Sequence, residues 1–462
     1  MDKKGAEVGD NNRSRLVKSV DKKQVLVIGL DGFPFTLANR LMDEGIMPNF
    51  KSLLEEGTFS QMDSIYPTVS NVAWTSYQTG KNPGKFDVYG FAELTPELDL
   101  YIPNSTNCKS KTIQEIISES GKRVISLGVP GSYPPRPVNG ITVGGFLSPS
   151  LEKAVYPESI LPELRKTGYM VDINPMKARE SLEFFKEENL KVLEGRGKTL
   201  FNLWDSQEWD LLTIHFMDTD RMGHFMFKYL DKEESGTVNA QYYLEFFRKI
   251  DEMIGQVRQR MTENITLIIL SDHGFCRIKK EVQLNRWLQD RGYLAFSRPP
   301  AHDLDFEAIS PESKAFALVP GKIYLMREGK WKGGQVTDSE YEPLREEIIK
   351  KLTEFHNAGD PVCKKVLKKE DAVFGPYLDN APDIIIDPHN GYDLKAGLKK
   401  SLIFETGPLS GMHTYYDAML YIQGIQAINK RPAVYDVPAT ILNLLDIPIP
   451  TDFDGVSLNT DD

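Results

Sequence analysis

The run Gln24–Leu30, QVLVIGL, leads into Asp31-Gly32. Seven uncharged residues rich in β-branched side chains, closed by a turn dipeptide, read as a strand buried on both faces. Comparable runs follow at Arg123–Gly128, Asp210–Phe216, Thr266–Leu270, Ile384–Ile386 and Met419–Ile422. Helical patterns lie between them. Tyr243, Phe247, Ile250, Ile254 and Val257 recur every three or four residues as one apolar stripe. VPATILNLL, Val437–Leu445, with Pro438 in its first turn, reads as a closing helix. Strands alternating with helices predict an α/β fold: a mainly parallel central sheet with helices on both faces.

Around that frame the chain is uneven. From about Lys279 to Lys400 it is richer in Pro, Gly and charge (SRPPAHDLDF, REGKWKGGQ, GPYLDNAPD), with short strands and one helix near Glu340–Phe355. The expected division is a mobile tail over residues 1–22, a core over 23–278 and 401–462, and an inserted cap over 279–400. The 462 residues carry 55 Lys+Arg against 66 Asp+Glu, a net charge of −11. That balance argues against nucleic-acid binding, which needs clustered cations to release counterions. No apolar run is long enough to span a membrane. The polar N-terminus lacks a signal-peptide core. Cys108, Cys276 and Cys363 are odd in number and widely spaced, which fits reduced thiols and a cytoplasmic location. Nothing in the sequence speaks to oligomeric state.

Acids and histidines collect where strands end. Asp31-Gly32 follows the first strand and Asp272-His273-Gly274 follows another. Ligands of open α/β sheets bind outside the carboxyl ends of the strands. Each acid alone also suits a turn or an N-cap. Asp220 and His224 sit four apart and share one face of a helix, a spacing that places an oxygen and a nitrogen on one cation, or forms a surface ion pair. His413 is expected in a loop just before the strand AMLYIQG. Ser70, after Tyr66-Pro67-Thr68-Val69, falls at a helix N-terminus that favours an anion such as phosphate, though Ser is also an ordinary N-cap there. A serine nucleophile needs a base or a metal beside it.

LDGF, PTVSNVAWTSYQTGKNPGK, DTDRMGH, LSDHGF and GMHT, in this order, resemble the alkaline phosphatase superfamily, in particular its type I phosphodiesterase/nucleotide pyrophosphatase branch and the related phosphohydrolase/phosphomutase group. The resemblance covers roughly residues 22–280 and 400–458. It implies an alkaline phosphatase-like fold and two divalent cations, Zn²⁺ or Mn²⁺. One would take Asp220, His224 and His413, the other Asp31, Ser70, Asp272 and His273. Ser70 falls in the nucleophile position, with Asn71 beside it as a candidate to hold a phosphoryl oxygen. Two departures stand out. The diesterase branch usually has Thr where this chain has Ser70, and His-Gly where it has Phe86-Asp87. Ser70-Asn71-Val72-Ala73-Trp74 lacks the Pro-x-Arg pattern of sulfatases.

The function expected from this resemblance is a phosphoester hydrolase working on a small molecule, of nucleotide or nucleotide-sugar class, through a phosphoseryl intermediate. A phosphomutase or phosphomonoesterase on the same core is the alternative, with Lys279, Lys280, Arg286 and Arg291 as cations for the extra phosphate charge. A non-catalytic binding protein is a third reading, opposed by the complete ligand set.

Overall fold

The computed structural model describes residues 22–425, 428 and 430–459. The tail expected over residues 1–22 lies, apart from Lys22, outside the described residues. An eight-stranded sheet runs in the order Gly57–Met62, Ala418–Gln423, Ile265–Leu270, Gln24–Leu30, Leu211–Phe216, Val124–Leu127, Gly140–Val143, Val155–Tyr156. Gln24–Leu30 lies at its centre, parallel to both neighbours. Leu211–Phe216, Val124–Leu127 and Gly140–Val143 continue the parallel part. Ala418–Gln423 and Gly57–Met62 extend one side in antiparallel fashion, and Val155–Tyr156 closes the other.

The central strand shows why its sequence does not alternate. Leu26, Ile28 and Leu30 join the cluster containing Phe247, Ile250 and Ile254 of the helix Val238–Arg260. Val25 and Val27 face the other way, into the cluster of Trp74, Tyr77 and Ile441. Helices therefore bury both faces of the sheet, and every residue of the strand must suit an apolar neighbour.

Residues 279–400 hold a second sheet and most of a second apolar cluster, which Leu94 and Leu98 join. Ala315–Leu318, Lys322–Leu325, Ile384–Pro388 and Cys363–Lys368 form an antiparallel four-stranded sheet. Its apolar cluster includes Trp287, Phe316, Tyr324, Trp331 and Ile348. Ile384–Ile386 therefore belongs to this outer sheet and not to the central one. An apolar run bounded by turns does not reveal which sheet will cover it. Lys280–Gln283 pairs with both Tyr392–Lys395 and Phe404–Glu405, so the two ends of the insertion meet in one small sheet. The long helix lies at Asp338–Thr353, begun by a Thr337/Glu340 capping box. Among the described residues no helix is long and apolar enough to cross a membrane.

Candidate metal centre and nucleophile

Asp31 and Asp272 come from neighbouring strand ends, because Gly29 pairs with Leu270 in parallel register. Gly32 takes a positive φ of 62°, and a Cβ there would meet the Phe275 ring at 2.5 Å. Its freed N–H donates to Asp272 Oδ1 at 3.0 Å, which ties the two turns together.

Ser70 is the first residue of the helix Ser70–Thr79, after an extended Val69. It does not cap the helix. Its hydroxyl lies 3.1 Å from Asp31 Oδ1 and 3.2 Å from His273 Nε2. The N-cap alternative fails for a geometric reason: the residue one position earlier supplies the extended conformation, and Ser70 already has helical backbone. Thr68 turns aside, its hydroxyl donating to the Ile65 carbonyl at 3.0 Å.

Asp220 and His224 occupy one face of the helix Asp218–Met226, with His224 Nε2 3.4 Å from Asp220 Oδ1. His413 Nε2 lies 3.2 Å from that same oxygen and 3.1 Å from His224 Nε2. The expected loop position of His413 is corrected: it sits in the strand Gly411–Thr414, opposite Phe275 of Gly274–Arg277. This ribbon begins directly after His273, so the two imidazoles stack with centroids 3.7 Å apart.

Two groups of potential ligands result, Asp220/His224/His413 and Asp31/Asp220/His273, each with its ligand atoms within 4.8 Å of one another. Asp220 belongs to both. Asp272 reaches the second group through Oδ2, 3.4 Å from His273 Nε2. Asp220 Oδ1 and Asp272 Oδ2 are buried and accept no hydrogen bond. Buried carboxylate oxygens without donors, facing imidazole nitrogens, make a donor set that fits hard or borderline divalent cations.

The histidine tautomers agree. His224 Nδ1 lies 3.0 Å from the Gly411 carbonyl oxygen, and His273 Nδ1 lies 3.1 Å from that of Gly274. A carbonyl only accepts, so both Nδ1 atoms carry the proton and both Nε2 lone pairs face the acids. Burial holds His224 down at about 4 and His273 well below its usual range, which keeps both neutral and able to ligate. For Asp31, burial and then the Asp220 charge push the carboxyl up to about 8. Burial and the Asp31 charge push Asp272 in the same direction. Burial would raise Asp220 too, but His224, His413 and Arg221 outweigh it and hold the carboxyl well below the usual range. Burial would lower His413, but the Asp220 carboxylate, 3.2 Å from its Nε2, outweighs burial and raises the imidazole. The protein groups alone thus leave this pocket short of positive charge.

A supporting layer was not singled out from sequence. Trp74 Nε1–H donates to Asp31 Oδ2 at 2.8 Å, and His215 Nε2 lies 2.8 Å from the same oxygen. Gly29 makes this possible: a Cβ there would meet the Trp74 ring at 2.5 Å. Gly29 also pairs with His215, which places that side chain beside the strand end. Thr219 donates to the Asp31 carbonyl at 2.6 Å. The available signal was a histidine inside an otherwise apolar strand, two residues after the polar Thr213.

Two cavities flank the segment around Ser70. One, of about 340 Å³, is lined by Thr68, Val69, His224 and His413 on the core side and by Val319, Pro320, Asp387 and Lys395 from the insertion. Arg179 also reaches it. The other, of about 280 Å³, has Asn71 against Ile102, Tyr133, Phe146 and Leu147. Asn71 Nδ2 donates to the Gly90 carbonyl at 2.8 Å. The cations expected from the insertion are elsewhere. Arg291 lies over the Trp287 ring, Arg286 pairs with Asp290, Lys280 bonds Thr406, and Lys279 packs against Gly391. They stand near the stem of the insertion in sequence, but their side chains are spent on local packing.

Residues 25–416 match the family model of type I phosphodiesterase / nucleotide pyrophosphatase. The chain belongs to this family. It is therefore a hydrolase of phosphoric ester or phosphoanhydride bonds, in the alkaline phosphatase superfamily. No curated protein matches the sequence. Among solved structures, murine ectonucleotide pyrophosphatase/phosphodiesterase 5, an inactive form in complex with AMP, aligns with a TM-score of 0.53 at 16% identity, over 93% of this chain and 96% of its own. The human form gives 0.53 at 16%, over 94% and 97%. Phosphonoacetate hydrolase from Sinorhizobium meliloti 1021, in complex with phosphonoacetate, gives 0.62 at 15%, over 92% and 95%. At such identities the likeness is one of fold. Within this phosphodiesterase-family chain, the first residue of the Phe86-Asp87 departure is buried in the core, while Phe91, a few residues on, lines the larger cavity.

Proposed function

We propose that this family member is a phosphodiesterase or nucleotide pyrophosphatase in which Ser70 is the nucleophile. The observation that carries the reading is the Ser70 hydroxyl between Asp31 and His273, with one cavity on each side of its segment. A diester has two arms, and two cavities suit it better than a monoester. In-line attack would form the Ser70 Oγ–P bond as the leaving oxygen departs from the opposite side. The hydroxyl proton is lost to solvent and one returns to the departing oxygen, since the Asp31 and His273 lone pairs that face Ser70 are the ones that would hold a cation. Water then attacks the phosphoserine phosphorus, and Ser70 recovers its proton. Asn71 is proposed to hold a non-bridging oxygen.

Asp220, His224 and His413 would hold one divalent cation, and Asp31, Asp272, His273 and Ser70 a second, Zn²⁺ or Mn²⁺. When bound, they supply positive charge that lowers the serine pKa and neutralises phosphoryl oxygens. Residues 279–400 are proposed as a cap that reads the substrate arm, since Val319, Pro320 and Lys395 line the cavity containing His224 and His413. A cytoplasmic location is proposed from the sequence, where three widely spaced cysteines offer no disulfide framework.

A second reading, monoesterase or mutase, draws on Arg179 and Lys395 in that cavity, cations able to meet the extra charge of a monoester. Lys395 is already paired with Asp393 at 2.7 Å, which weakens it. Turnover of bis-p-nitrophenyl phosphate, p-nitrophenyl phosphate and phosphoglycerate by the Zn²⁺- or Mn²⁺-loaded enzyme tests the choice. The diester is expected to be the best substrate. A preference for either monoester, lost in Arg179→Ala, would overturn the first reading in favour of the second.

A further inference from the structure

Lys322 is fully buried, far in sequence from the catalytic segments, at the start of an outer-sheet strand. Its ammonium donates to Glu93 Oε1 at 2.8 Å and to the Ala92 carbonyl at 3.1 Å. The Tyr324 hydroxyl donates to Glu93 Oε2 at 3.0 Å. Glu93 is itself 7% exposed, so the insertion and the core share a buried ion pair with both carboxylate oxygens satisfied. Such a pair is a weak source of stability, because desolvation offsets its Coulomb gain, but it fixes a geometry.

What it fixes lies next to the chemistry. A Cβ on Gly90 would come within 2.5 Å of the Lys322 ammonium, so the chain at Gly90 is pressed directly against it. The Gly90 carbonyl is the acceptor for Asn71 Nδ2. Asn71 follows Ser70 in the first turn of the nucleophile helix. Lys322 also follows the turn containing Val319 and Pro320, which form part of the larger cavity's wall. One buried ammonium thus contacts the segment that orients Asn71 and anchors the hairpin that faces the substrate arm.

We infer that Lys322 and Glu93 are positioning residues, locking the inserted region to the Ala92–Gly90–Asn71 path so that Asn71 is held in register with Ser70. The inference rests on the reading that Asn71 touches the phosphoryl group. Lys322 acts through Asn71 and does not itself touch substrate.

A double-mutant comparison in the metal-loaded, full-length enzyme tests it, with bis-p-nitrophenyl phosphate as the probe. Lys322→Met combined with Glu93→Gln removes both charges together and leaves no unpaired ion in the interior. This pair is expected to lower kcat roughly tenfold with KM little changed, since small misplacement of a positioned group costs rate. In an Asn71→Ala background the same pair should lower kcat no further, because residues acting through one another are not additive. Should the charge-free pair fold poorly by thermal unfolding, Tyr324→Phe serves instead. It deletes one hydrogen bond to Glu93 and keeps the ring stacked on Phe316. Its smaller loss of kcat should likewise vanish with Asn71→Ala. An equal loss in both backgrounds, or a change in melting temperature with kcat untouched, would overturn the positioning role and leave a structural tie. If Asn71→Ala alone leaves kcat unchanged, the Asn71 reading has failed, and this inference with it, on a separate measurement.

Discussion

Replacing His215 with Phe should weaken metal binding by about 10- to 100-fold at pH 7 while the protein stays folded. The contact of His215 that bears on Asp31 is Nε2 to Asp31 Oδ2 at 2.8 Å. Phenylalanine keeps a planar ring against Trp74, whose ring centroid lies 4.6 Å away, and removes the hydrogen bond to Asp31. With protein groups alone, burial holds Asp31 at about 8. A ligating carboxylate must be ionised, and at pH 7 that costs about 1.4 kcal/mol, one pKa unit. A hydrogen bond to a charged group contributes about 1.5–3 kcal/mol. Losing it should therefore raise Asp31 by roughly one to two further units, and metal affinity falls by the same factor. That agrees with the roughly 10- to 100-fold effect of removing outer-shell partners of metal ligands. The protonated carboxyl loses much less, so stability in chelator should change little. Competition against a chromophoric chelator measures the affinity, and thermal unfolding in EDTA measures the fold. Affinity within threefold of wild type, in a protein that melts normally, would refute the reasoning: either Trp74 alone orients Asp31, or Asp31 is not a ligand.

Three further outcomes follow from the same geometry. In chelator, thermal stability should fall as pH rises from about 6.5 to 8. A carboxyl raised in the folded state, as Asp31 is, binds more protons there than when unfolded, and that contribution is lost as pH climbs through its folded value. His413 and Asp272, also raised, act in the same sense, while the depressed His215, His224 and His273 add an opposing slope that fades over roughly one unit above 6.5 as their unfolded-state imidazoles lose their protons; melting curves that rise with pH above about 7.5 would contradict it. Ser70→Ala should abolish turnover with at least one cation retained, whereas Thr68→Ala, whose hydroxyl serves only the Ile65 carbonyl, should keep most activity. A reversal in steady-state assays would move the nucleophile by two positions. Asp220→Asn should reduce cation stoichiometry in equilibrium dialysis more than His224→Ala does, because Asp220 stands in both ligand groups; equal losses would separate the two groups.

The parts legible in sequence were those written in local pattern. Gln24–Leu30 announced a central strand because both of its faces meet helices. Asp220 and His224 announced a shared helical face because their spacing matches one turn. His413 was found as a residue but misplaced in conformation. A four-residue strand whose only partner lies far away in the chain has no period of its own to detect. The same limit hid Gly57–Met62 and Val155–Tyr156 at the sheet edges, and it left open which sheet Ile384–Ile386 would join. His215 and Trp74 stayed out of sight because their role is set by register. Only when Gly29 pairs with His215, and leaves room for an indole, do both side chains reach one carboxylate oxygen.

Register also explains how a ligand set can tolerate a long interruption. His273 and His413 stand on opposite sides of the inserted region, yet their rings stack. The ribbon of Gly274–Arg277 and Gly411–Thr414 closes the insertion at its stem, pairing Phe275 with His413 and Arg277 with Gly411. Lys280–Gln283 with Phe404–Glu405 adds a second closure just beyond it. Once the ends are held this way, the entropy of closing the loop grows only slowly with its length. The position of His413 therefore depends on the ribbon and not on how much chain lies outside it. The insertion is free to carry a second sheet and one wall of the larger cavity while the imidazoles keep their place. Several contacts tie it back to the core, among them Tyr66 with Asp387 in the wall of the larger cavity and Lys322 with Glu93 and Gly90, and the second is the one proposed to hold Asn71 in register with Ser70.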